Sequence, residues 1–155
     1  MIRIEAYTEA TKDHIRELNY EWLKKYFSVE PNDVLQLNDP QQYILDKGGY
    51  VFYAFYDDKI AGTFSLLKID DKTFELGKMA TNAAFQGKGI GNAMLKFCLE
   101  KARQLGTEKI FLFSNTKLRS AIHLYEKYGF EQVPMGETHY MRSDIKMEKR
   151  LTADD

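Results

Sequence analysis

A mixed α/β fold (α+β in some schemes), with a mostly antiparallel sheet carrying helices on both faces, is predicted by three observations on this 155-residue sequence. Apolar residues recur at three- and four-residue intervals in three long stretches, as amphipathic helices require. An aromatic and β-branched tract over 50–79 is cut twice by Asp-Asp-Lys, as in an antiparallel meander. A strand, helix, strand succession then follows, and such a connection normally closes a parallel pair.

Taken in order, the first helix spans 11–27, where Ile15, Leu18, Trp22 and Tyr26 share a face and Thr11 caps the start. Asp39-Pro40 offers a cap followed by proline at the first helical position, and Gly48-Gly49 stops that short second helix. From Tyr50 the segments YVFYAFY, IAGTFSLLKI and TFELGKM read as strands, separated by Asp57-Asp58-Lys59 and Asp70-Asp71-Lys72. Ile90, Met94, Leu95, Cys98, Leu99, Ala102 and Leu105 trace the apolar stripe of a long helix that Gly106 ends, so Cys98 is read as core. KIFLF at 109–113 is a buried strand. Ala121, Ile122, Leu124, Tyr125 and Tyr128 form a further helix before Gly129, and strands at 130–133 and 139–147 complete the order. No linker, low-complexity tract or repeat interrupts this, which predicts a single domain over 1–150 and a frayed tail at 151–155.

Composition narrows the classes. One cysteine and three histidines support neither a disulfide framework nor a zinc site, so no metal is expected. The start, MIRIEAYTEA, carries acids and no long apolar run, unlike a signal peptide or membrane span, and a reducing cytoplasm is the expected location. With 22 Lys plus Arg against 23 Asp plus Glu, the net charge of −1 argues against nonspecific nucleic-acid binding. The charge is nevertheless uneven along the chain. Residues 1–46 hold five bases and nine acids, net −4, whereas residues 86–127 hold eight bases and three acids, net +5.

The positive segment opens on Gln86-Gly87-Lys88-Gly89-Ile90-Gly91, between the strand TFELGKM and the long helix. Glycines reach φ > 0 and let backbone approach a ligand, while the first helical turn offers unpaired N–H groups and the positive end of a dipole. Together these suit a phosphate or pyrophosphate. A Walker loop would need Ser or Thr after Lys88, and a dinucleotide fingerprint would need its third glycine where Asn92 stands, so both fail on spacing.

Gln86, Gly89 and Gly91 do meet the pattern Gln or Arg, two residues, Gly, one residue, Gly or Ala. A second block follows in Ser114-Asn115-Thr116-Lys117-Leu118 and in the run from Ala121 through Leu124-Tyr125-Glu126-Lys127 to Gly129-Phe130. In these two blocks the sequence resembles the GNAT superfamily of acyl-CoA-dependent N-acetyltransferases, strongly over 75–133. One departure is that Leu118 stands where many members carry asparagine, with Asn115 the nearby amide.

The resemblance implies a fold whose fourth and fifth strands splay apart, and acetyl-CoA as cosubstrate. Backbone N–H groups of residues 86–91 would hold the pyrophosphate, with Lys88 or Lys127 near the phosphates, unless these lysines are merely solvated. Met79 and Thr81 would bind the pantetheine arm in sheet fashion, Asn115 would contact the cofactor, and the Met79 N–H would polarise the thioester carbonyl, an effect worth roughly 3 kcal/mol in hydrolases. Tyr125 matches the general-acid position. Glu75, eleven residues before Gln86, matches a catalytic glutamate of some members and reads equally as an outward strand residue. An acceptor proton must go somewhere, because alkylamines have pKa values of about 10. His14, His123 and His139 are rival bases without positional support.

The acceptor is expected to be a small-molecule amine selected by the first two helices and their connection, where Glu21, Glu30 and Asp33 could face a cationic amine. A homodimer through the aromatic meander or the final strand is compatible with the family. Two other classes stay open: a noncatalytic acyl-CoA-binding module of the same fold, and a different nucleotide-binding domain.

Overall fold

The computed structural model describes residues 1–137 and 140–151. Its seven-stranded sheet has the order β1-β2-β3-β4-β5-β7-β6, formed by β1 (Ile2–Ala6), β2 (Tyr50–Tyr56), β3 (Lys59–Asp70), β4 (Thr73–Thr81), β5 (Lys109–Ser114), β6 (Glu131–Val133) and β7 (Ile145–Arg150). β4 and β5 pair in parallel and the other neighbours are antiparallel. The helices are α1 (Lys12–Tyr26), α2 (Pro31–Asn38), α3 (Ile90–Gln104) and α4 (Arg119–Lys127).

Successive strand side chains point to opposite faces, and β2 uses both faces for burial. Phe52 and Ala54 join a core with Met94, Leu95, Cys98 and Leu99 of α3 and Tyr125 of α4. Val51 and Tyr53 join a second core with Ile15 and Leu23 of α1 and Leu37 of α2. Helices therefore cover both faces, as the sequence predicts. Cys98 is fully buried, and burial pushes its thiol up to about 12, which suits a packing residue.

Four local expectations are corrected. β1 escapes the sequence reading because it is a five-residue edge strand whose alternation, IRIEA, is half charged. Its register from Ile2↔Tyr56 to Ala6↔Phe52 comes from the β2 template. α2 replaces the expected open connection: Pro31 stands at its start, and the backbone N–H of Glu30 donates to Asp33 Oδ2 at 2.9 Å. The helix expected over 40–48 is a single π-helical turn, Gln41–Leu45. The last strand begins at Ile145, because the residues before it leave the sheet and Tyr140 and Arg142 turn toward α2 and β4. His139 and the tail at 152–155 lie outside the described residues, where no helix is long and apolar enough to cross a membrane.

Candidate active site

β4 and β5 are paired only at Thr73↔Lys109, Phe74↔Ile110 and Glu75↔Phe111, although β4 runs on to Thr81 and β5 to Ser114. Past Glu75 the strands part, and a cavity of about 810 Å³ opens between them. Backbone donors and acceptors on a strand edge require partners, so this edge of β4 can receive an extended polar chain. Glu75, at the apex of the gap, is buried and lines the cavity.

Two residues later β4 carries a bulge. Thr63↔Ala80 is followed by Ser65↔Gly77, which sets Lys78 and Met79 together against Phe64, and Lys78 adopts φ +53°. An extra residue reverses the facing of everything after it. Phe74 and Leu76 pack in the α3 core, and plain alternation would send Lys78 there too. Instead Lys78 reaches α2 on the opposite face, while Met79 packs against the α3 core. The bulge is pinned from outside the sheet. Buried Asn19 of α1 donates through Nδ2 to the Lys78 carbonyl at 3.1 Å and the Ile15 carbonyl at 2.9 Å, and Trp22 Nε1 donates to Asn19 Oδ1 at 3.2 Å.

Tyr125 arrives from α4 with its hydroxyl 4.0 Å from Met79 Sδ. Burial pushes this phenol up to about 12, so it holds its proton throughout the neutral range. The glycine loop forms a third wall. Gly87 (φ +79°) and Gly89 (φ +81°) need left-handed backbone, and Gly89 leads directly into the first turn of α3. A Cβ on either would meet nothing within 4 Å, whereas a Cβ on Gly91 would lie 3.1 Å from Leu124 Cδ2, so Gly91 serves the contact of α3 with α4.

Of the residues singled out in the sequence, Met79, Thr81, Gln86, Gly87, Gly89 and Ile90 share the cavity wall. Gly91, Asn115, Glu75 and Tyr125 line it as well. Lys88 and Lys127 do not: Lys88 Nζ lies 5.6 Å from the centroid of the Tyr56 ring, and Lys127 Nζ donates to Asn92 Oδ1 at 2.9 Å. Asn115 is engaged at both ends of its amide, donating to the Arg142 carbonyl at 2.6 Å and accepting from the Lys117 N–H at 2.9 Å.

Around Lys78 and Arg142, which both line the cavity, lies a charge cluster that sequence reading misses. Asp33, fully buried, accepts from Lys78 Nζ at 2.9 Å, from both terminal nitrogens of Arg142 at 2.7 and 2.9 Å, and from the Glu30 N–H at 2.9 Å. Four donors on two oxygens match the acceptor capacity of a carboxylate. Burial pushes the Asp33 carboxyl up, but the hydrogen bonds from Arg142 and the charge and hydrogen bond of Lys78 outweigh it and hold it below the usual carboxylate value. Lys78 also donates to the Tyr140 hydroxyl at 2.7 Å, and Arg142 lies 4.4 Å from the Tyr140 ring centroid.

Glu21, Glu30 and Asp33, expected to face a cationic amine, are engaged elsewhere: the cluster takes up Asp33 and Glu30. Glu21 accepts the Ala83 N–H at 3.0 Å, and Glu30 accepts the Met141 N–H at 2.8 Å and Arg142 Nη1 at 3.2 Å. None of the three lines the cavity. The sequence signal that could have found Asp33 is its place three residues after Glu30 behind a proline, a helix-start pattern. Lys78 and Arg142 carry no comparable signal.

The Acetyltransferase (GNAT) family model matches residues 14–130. An uncharacterised N-acetyltransferase of Bacillus subtilis (strain 168), YvbK, is 29% identical over 132 residues, spanning 81% of this chain and 85% of the relative. The crystal structure of a GNAT-family acetyltransferase from Staphylococcus aureus Mu50 superposes with a TM-score of 0.86 at 21% identity, covering 98% of this chain and 100% of the other. A GNAT-family acetyltransferase from Elizabethkingia anophelis with acetyl-CoA bound gives a TM-score of 0.66 at 25% identity, covering 97% and 98%. With a matched family model over most of its length and the splayed strands, bulge and glycine loop in one cavity, the chain belongs to the GNAT family of acetyltransferases.

Proposed function

We propose that the protein transfers an acetyl group from acetyl-CoA to the primary amine of a small molecule, by direct attack within a ternary complex. The observation that carries this reading is the meeting of the Tyr125 hydroxyl with Met79 at the open end of the β4–β5 gap. The acetyl-CoA held by the Elizabethkingia relative supports the choice of donor.

In this reading the N–H groups of residues 86–91 and the first turn of α3 hold the pyrophosphate, a task that suits left-handed glycines and a helix start. Met79 and Thr81 bind the pantetheine arm along the free edge of β4, and the Met79 N–H polarises the thioester carbonyl. Asn115 acts through the end of β5, whose turn it ties to Arg142 and Lys117. Lys88 and Lys127 approach the phosphates only by leaving Tyr56 and Asn92.

The amine nitrogen forms a bond to the acetyl carbon and the carbon–sulfur bond breaks. The acceptor, an ammonium at neutral pH, loses two protons in all: Glu75 accepts the first through water and passes it to solvent, which leaves a neutral amine to attack, and the second leaves the nitrogen once the carbon–nitrogen bond has formed. Tyr125 gives one proton to the departing sulfur and regains one from solvent, so each turnover releases one proton. Because Tyr125 holds its proton up to about 12, it is a competent acid at any neutral working pH.

The test is thiol release from acetyl-CoA across a broad panel of amines. CoA production dependent on one acceptor class is expected. Binding of acetyl-CoA without CoA production from any amine would favour the noncatalytic module instead.

A further inference from the structure

The acceptor end of the cavity presents cations to its interior and keeps their counterions behind them. Lys78 and Arg142 line the cavity, whereas Asp33 and Glu30 do not. Resting on the transferase reading, we infer that the acceptor is an amine that also carries a carboxylate, with that carboxylate on Arg142 and Lys78 and the amine toward Glu75.

Three observations converge. First, Arg142 is preorganised: Asp33 grips both terminal nitrogens, at 2.7 and 2.9 Å, Glu30 takes Nη1 at 3.2 Å, and the guanidinium lies 4.4 Å from the Tyr140 ring centroid. Among the described residues Nη2 has only Asp33 Oδ1 as partner for its two N–H groups, so the planar fork keeps a donor for a further anion. Second, the cavity wall pairs one acid, Glu75, with Lys78 and Arg142 in this region, the charge complement of a molecule bearing an ammonium and a carboxylate. Third, a polycation would bring a second ammonium against two like charges, while Glu30 and Asp33 are already held by Arg142 and Lys78 and Glu21 does not line the cavity. Trp22, Tyr26 and Phe27 complete this end with apolar surface for a carbon skeleton.

The experiment compares matched acceptors by thiol release: an aminocarboxylate, its amide and its decarboxylated amine, with spermidine alongside. The aminocarboxylate is expected to exceed the other three in kcat/KM by about tenfold or more, the scale of one charge-assisted hydrogen bond. Equal or better turnover of the amide or of spermidine overturns the inference while leaving the transferase reading intact. No thiol release with any amine overturns both. Arg142→Lys keeps a cation against Asp33 but loses the fork, and its loss in kcat/KM is expected to be larger for the aminocarboxylate than for the amide; parallel losses would make Arg142 structural only. Where that variant unfolds, the wild-type enzyme decides: a deaminated carboxylate should compete with the acceptor and its amide should not, and equal competition overturns the inference.

Discussion

The two ends of the cavity are built by different physics. Around the glycine loop, where we propose the pyrophosphate binds, the working groups are backbone from one continuous segment: a left-handed glycine pair and the first turn of α3. At the acceptor end they are side chains from three distant segments, with Lys78 and Asp33 separated by 45 residues and Arg142 and Asp33 by 109. Backbone sites are insensitive to side-chain identity except where a Cβ strains φ. Buried charge sites depend on every member, because removing one strands the others in a low-dielectric interior. The cofactor end is thus expected to fail by losing affinity, and the acceptor end by losing the fold around it.

The largest expected effect follows from Asp33→Ala. It leaves the Lys78 ammonium buried without its carboxylate, at a cost of about 3–5 kcal/mol. A melting temperature lowered by roughly 10 °C would be the readout; a shift within about 1 °C would show that the cluster is not a structural unit. The pH dependence has a defined sign. The Asp33 carboxyl lies low in the folded protein, so its stabilisation is complete above the ordinary carboxylate value of about 4 and is lost progressively as pH falls below that, through the lowered folded value. Asp33→Asn should therefore narrow its stability gap to wild type in acid, which urea denaturation across pH would measure.

Tyr125→Phe removes the hydroxyl beside Met79 while keeping the ring in its core. Turnover is expected to fall about 100-fold, with acetyl-CoA affinity nearly unchanged. Unchanged turnover would remove the acid role from Tyr125. In the wild type, no alkaline loss of rate should originate from this group below about pH 10, since burial pushes it up to about 12.

The smallest effect on the fold, and the sharpest contrast, is expected for Gly89→Ala. The added methyl meets nothing within 4 Å, so the cost is the left-handed backbone alone, about 1–2 kcal/mol. Acetyl-CoA binding should weaken about tenfold as the N–H cradle is displaced, measurable by calorimetry. A variant that loses stability but binds normally would separate the loop from the cofactor.

The glycine loop, α1, α3, α4 and the meander are legible in the sequence because their signals are local: a helical period, a two-residue alternation, a turn residue that must take φ > 0. β1 is missed because an edge strand half charged along its length has no strong pattern of its own. α2 is missed because its stability comes partly from the Asp33 carboxylate, whose partners lie far along the chain. Lys78 falls within a strand pattern that assigns its side chain to the wrong face, and only the bulge, pinned by Asn19, reverses it.

The sequence by itself determines the family and the order of the elements other than β1 and α2, since these rest on contiguous residues whose preferences are set by neighbours. The tertiary structure alone decides that Glu30 and Asp33 are neutralised by Arg142 and Lys78 and that these two cations line the cavity. A buried charge has no periodicity, and its place is fixed only when the chain brings its counterion to it.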